Sequence, residues 1–124
     1  GGVHACAEGG GVTAITTCQS GYLDRVAQIG CIACVCLGFG RTDAEIHHIR
    51  EGRLARNHWM VLPLCPQHHR GSRMSVHQDK RALLTQIGVQ SELDLQAMVI
   101  GYLNGEKLPY GGVDITDIEY VEVD

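Results

Sequence analysis

Apolar positions along this chain predict two kinds of element, helices where they recur at helical spacing and short strands where β-prone residues gather. Between Tyr22 and Ile29, the residues Leu23, Val26 and Ala27 recur at helical spacing, and Gly30 ends the run. The same period returns over Lys80 to Ile87 and over Ser91 to Leu103. The second of these opens on Ser91-Glu92-Leu93-Asp94, a capping-box pattern, and closes on Asn104 and Gly105. Ala44 to Arg50 and Trp59 to Leu64 are shorter and β-prone, which predicts two strands joined by an arginine-bearing loop, Glu51 to His58. Pro66 suits a first helical turn, so a helix is expected to begin at Gln67. Gly1 to Gly21 has no period and reads as an arm or overlying loop, while Val113 to Val123 fits either an edge strand or a disordered tail. The fold class is α+β.

Composition limits what these elements can build. The chain has 124 residues, 44% hydrophobic content and sixteen glycines, which suits one domain with a small core in need of a staple. The expected organisation is a glycine-rich arm (1–21), a central domain (22–105) and an acidic tail (106–124). No secretory leader pattern is present and charge or glycine interrupts every apolar run, so the six cysteines point to reduced thiols, a cytoplasmic setting and no membrane.

Two short motifs supply the staple. Cys31-Ile-Ala-Cys34 and Cys65-Pro-Gln-His68 offer the paired spacings from which a tetrahedral Cys3His zinc site is made. Cys36 is a neighbouring sulfur that reads as a packing residue, and His4, Cys6 and Cys18 match no reliable ligand pattern. His69 follows the last zinc ligand directly. Consecutive helical residues point about 100° apart, so with His68 on zinc His69 faces elsewhere, toward the hairpin that carries His47 and His48.

Net charge is −4, but the charges are segregated. Residues 41–81 hold eight Lys or Arg against four acids, while residues 106–124 are acidic apart from Lys107. A basic centre thus coincides with the histidines, and Arg50, Arg53, Arg56, Arg70 and Arg73 are the candidate DNA contacts.

A zinc knuckle, a β-hairpin and a helix closing the zinc site form the arrangement called a treble clef, and with these histidines it resembles the HNH, or ββα-metal, nucleases. Ala44-Glu-Ile-His-His-Ile-Arg50, Leu62-Pro-Leu-Cys-Pro-Gln-His-His-Arg-Gly71 and Ser75-Val-His77 are similar to the recombination enhancement function nucleases, over roughly residues 22–103. Those are RecA-dependent endonucleases of phage and bacterial origin that cut DNA where a RecA filament has paired a strand. The resemblance implies a structural zinc on Cys31, Cys34, Cys65 and His68. It also implies a catalytic divalent cation, with magnesium expected first and manganese or zinc as alternatives, held by His47, His69 and His77, and it implies His48 as the general base.

Two expectations attach to that likeness. Neighbouring residues on a regular strand face opposite ways, so His47 and His48 share one centre only where the strand ends or bulges. His77, eight residues beyond His69, implies an intervening loop. One departure stands out: Met60 occupies the place where many HNH enzymes carry asparagine, and Asn57 and His58 stand nearby, off register. A noncatalytic treble-clef module that binds DNA or protein is the competing class.

Overall fold

The computed structural model describes residues 14–53 and 55–108 of the chain. Among the described residues, four α-helices surround a two-stranded antiparallel sheet, in agreement with the expected α+β class. The readings made for His4, Cys6, Val113 to Val123 and most of both terminal segments lie outside the described residues.

Helix α1 spans Thr17–Ile29. It starts earlier than the apolar period suggests, because Thr16 and Gln19 form a reciprocal cap: Gln19 N donates to Thr16 Oγ1 at 3.1 Å, and Thr16 N donates to Gln19 Oε1 at 2.9 Å. Thr17 to Gly21, read above as part of the arm, are therefore helical. Glycine and small polar residues had concealed that first turn.

Gly30 ends α1 at φ 84°, and a Cβ there would lie 2.8 Å from both Arg41 Cγ and Thr42 O, so only glycine fits. Cys31 then caps α2 (Ile32–Leu37), its sulfur accepting from Cys34 N at 3.4 Å. Taken as one stretch, Thr17–Leu37 is long and apolar enough to cross a membrane, contrary to the expectation that no run would approach that length. The Gly30 break divides it, and 44% of its apolar window is packed inside the fold.

Strands β1 (Glu45–His48) and β2 (Val61–Leu64) pair antiparallel, with Glu45 opposite Leu64, His47 opposite Leu62 and His48 opposite Val61. Every β2 residue is buried, and α1, α2 and α4 pack on that strand. Val26, Ile29, Ile32, Leu62, Leu64, Leu83, Leu95 and Val99 form the centre of the core.

After β2 the chain makes a single wide turn of π-helix, Gln67–Gly71, closed by Ser72 N donating to Gln67 O at 3.0 Å. Helix α3 (Val76–Ile87) follows, with Ser75 as its cap and a break at Asp79 (φ −154°, ψ 78°). His77 thus stands in the first turn of α3, and the loop its spacing implied is confined to the few residues before it. Helix α4 (Glu92–Leu103) begins with the expected Ser91/Asp94 capping box.

Candidate functional site

The knuckle at the start of α2 and the turn after β2 meet at four donor atoms: Cys31, Cys34, Cys65 and His68. Cys34 Sγ lies 3.8 Å from Cys65 Sγ, and His68 Nδ1 lies 3.3 Å from Cys65 Sγ, 3.4 Å from Cys34 Sγ and 3.6 Å from Cys31 Sγ. A tetrahedron with Zn–S of about 2.3 Å and Zn–N of about 2.0 Å has S–S edges of ~3.8 Å and S–N edges of ~3.5 Å. The donors fit a structural zinc without rearrangement.

The three sulfurs are buried and carry no disulfide. Burial pushes the Cys31 thiol up to about 12 and raises Cys34 as well, so these sulfurs become thiolates only in the company of a cation. Cys36 lies outside the cluster, with its sulfur 3.6 Å from Met98 Sδ, as a packing residue. Cys18 is disulfide-bonded, which corrects the expectation of reduced thiols at that position and leaves it no free thiolate for a second zinc site.

A second cluster joins His47 on β1, His69 in the π turn and His77 in α3, with one donor atom from each lying within 4.8 Å of the others. Successive residues of one turn therefore serve two clusters, His68 the first and His69 the second. Each of the two buried imidazoles has a carboxylate partner: His69 Nδ1 is 2.9 Å from Glu45 Oε1, and His47 Nε2 is 3.3 Å from Glu92 Oε2. One ring nitrogen of each thus remains for a metal ion. Three such nitrogens with a carboxylate behind two of the rings make a fitting site for a cation that keeps an open position for substrate.

His48 faces elsewhere. The β1–β2 ladder is regular through His48, so it projects away from His47, and its Nε2 lies 3.0 Å from His58 Nδ1. Desolvation is the main cause that lowers its pKa to about 4, assisted by Arg56, His58, His47 and Arg50. Its ring stays neutral, an acceptor rather than a donor of protons, at any pH near 7. The bulge that would bring both to one centre is absent, and strand alternation distributes the two adjacent histidines between two positions, the His47–His69–His77 cluster and a His48–His58 pair. Asn57 is engaged elsewhere, its Oδ1 accepting from Trp59 N at 2.8 Å. His58, not Asn57, is the side chain beside His48.

Arg50, Arg53, Arg56, Arg70 and Arg73 are all exposed. Arg50 and Arg56 act electrostatically on His48, and Arg70 acts on His77, so basic side chains flank both groups.

Three residues were missed by sequence reasoning. Glu45 precedes His47 by two on one strand, a spacing that predicts a shared face and could have revealed it. Glu92 and Lys80 offered no such signal, being far from His47 in sequence. Glu92 Oε1 is 3.3 Å from Lys80 Nζ, and Glu92 Oε2 accepts from Arg50 N at 3.4 Å. Burial pushes the Glu92 carboxyl up, but His47 and Lys80 outweigh it and leave its pKa below the usual range.

Fold and clusters together define a small α+β domain with two side-chain clusters that could each hold a metal ion. The family model for recombination enhancement, RecA-dependent nuclease matches residues 15–91, a span that begins beside the Thr16 cap and takes in both clusters. The chain belongs to that family: it is a nuclease, its substrate is DNA, and RecA is its context. No curated protein and no solved structure matches the chain.

Proposed function

We propose that this nuclease is a metal-dependent DNA endonuclease of the HNH type, working on a treble-clef scaffold at DNA that a RecA filament has paired. The observation that carries the reading is the convergence of His47, His69 and His77 beside a hairpin whose next residue, His48, is held neutral. The Cys3His cluster is the structural zinc, and it fixes the turn from which His69 projects. An all-imidazole donor set suits zinc better than magnesium or manganese, which seek oxygen ligands. When bound, the cation supplies Lewis-acid stabilisation of the scissile phosphate and its leaving oxygen.

The chain's own residues do the rest. β1 is regular at His48, so base and cation stand on opposite faces of the strand and meet only at a phosphate laid across its end. With His48 Nε2–H donating to His58 Nδ1, the His48 lone pair stands on Nδ1 and there takes a proton from the attacking water. His58 thereby occupies the orienting role for which the usual asparagine is missing. Arg50, Arg53, Arg56, Arg70 and Arg73 draw the phosphate backbone over the hairpin and the π turn. RecA filaments form on DNA inside the bacterial cell, so a cytoplasmic setting belongs to this reading.

The test is nicking of supercoiled plasmid with and without added Mn2+, Zn2+ or Mg2+, in the presence and absence of a RecA–single-strand filament. Metal-dependent nicking that depends on His48 supports the proposal. Cleavage indifferent to chelation, or unchanged in His48→Ala, overturns it.

A further inference from the structure

Helix α4 takes no part in either ligand cluster, and the family match stops at Ser91, the residue before its first turn. Yet the first residue of that helix sends a carboxylate into the protein until it reaches a metal-site histidine. The Glu92 side chain is 2% exposed and its partner His47 is 6% exposed, so their contact at 3.3 Å is made almost without water. Burying a carboxylate is costly unless it is paired and hydrogen-bonded. Every surrounding feature serves that end. Lys80 Nζ lies 3.3 Å from Oε1, Arg50 N donates to Oε2 at 3.4 Å, and the positive end of α4 adds its own field. Lys80 Nζ also donates to Arg50 O at 3.0 Å, and Glu92 N donates to Glu51 Oε1 at 2.9 Å, so α3, α4 and the exit of β1 are tied together at one carboxylate.

A neutral imidazole carries one proton, and only the other nitrogen binds a metal. An ionised carboxylate only accepts, so beside Glu92 the proton of His47 stays on Nε2 and the lone pair stays on Nδ1. Glu45 relates to His69 in a similar way, but its side chain is 46% exposed, which leaves it the weaker constraint.

We propose that Glu92, held by Lys80, is a positioning residue that fixes the tautomer and ring direction of His47 so that Nδ1 meets the cation of the three-histidine site. The inference rests on the reading of that cluster as a cation site. Carboxylates placed behind metal-ligating histidines are worth about 10–100-fold in metal affinity.

The experiment takes protein carrying a single zinc, at the cysteine site, titrates it with Co2+ and follows the imidazole-bound cobalt, which lacks the sulfur charge-transfer band of a thiolate site. Wild type is expected to take one Co2+ that is lost in His47→Ala, and Glu92→Gln is expected to bind it about 10–100-fold more weakly with its far-UV spectrum and cysteine-bound zinc unchanged. Wild type that takes no Co2+ beyond the cysteine site overturns the cation-site reading itself. Normal binding in wild type with unchanged affinity in Glu92→Gln overturns only the role of Glu92. Should Glu92→Gln fail to fold, imidazole 15N correlation spectra of metal-loaded wild type decide the matter. A proton on His47 Nε2 with metal on Nδ1 supports the assignment, and the reverse pattern overturns it.

Discussion

Replacing Cys65 by serine removes one of four donors at the point where β2 passes into the π turn, and its consequences should reach the whole domain. Cys65 Sγ lies 3.8 Å from Cys34 Sγ and 3.3 Å from His68 Nδ1, so its sulfur is one of the four vertices of the tetrahedron. Serine keeps the volume but supplies a hydroxyl that is a poor zinc ligand. Zinc binding to small structural sites is worth on the order of 10–16 kcal/mol, against a total margin of about 5–15 kcal/mol for a typical domain. Weakening one of four bonds should cost at least ~3 kcal/mol of that. At roughly 4–8 °C per kcal/mol for a domain of this size, the melting midpoint should fall by at least ~12 °C. The assay is zinc content by mass spectrometry alongside a circular-dichroism melt. Cys36→Ser is the control: its sulfur touches Met98 and not the cluster, so zinc should be retained and the cost held to about 1 kcal/mol. A Cys65→Ser protein with full zinc and an unmoved transition would refute the argument that this cluster staples the fold.

His48→Ala should keep both metals and DNA binding while losing about 10²–10⁴-fold in nicking, a loss that added metal does not restore, whereas His69→Ala should regain part of its rate at high metal concentration. Because the His48 pKa is lowered to about 4, the neutral base persists as pH falls below the ordinary histidine range, so with metal held saturating at every pH the acid limb of kcat/KM should lie well below 6.5; a limb that stays near 6.5 and does not move with metal concentration would contradict that environment. Arg53→Glu with Arg56→Glu should leave the fold intact and lower the slope of log affinity against log salt by about 1.8 in a filter-binding titration, and an unchanged slope would remove this loop from the DNA interface. Leu62→Ala, at a fully buried position of β2, should destabilise the domain by about 2–5 kcal/mol in urea titration, and a cost below about 1 kcal/mol would mean that β2 is not the centre of the core.

Local chemistry carried most of what the sequence could say. The C-x2-C and C-x2-H spacings pointed to the four residues that converge as a possible metal site, because a metal demands particular residues at short separations. The β-prone run Ala44 to Arg50 and the proline after Cys65 named two of the elements that present the histidines, and the Ser91 cap named α4. Where local signals were weak the reading slipped, as at Thr17 to Gly21, where a single Thr16/Gln19 cap outweighed a glycine-rich composition. Strand alternation raised the question of how His47 and His48 divide, but only the packed hairpin answered it, since the answer depends on what lies across each face. One face meets His69 and His77, the other His58. The pairing of His47 with Glu92 belongs wholly to tertiary structure. The two residues stand forty-five positions apart, and nothing along the chain distinguishes a helix-capping glutamate from one that enters the core; α4 folding over β2 brings them together.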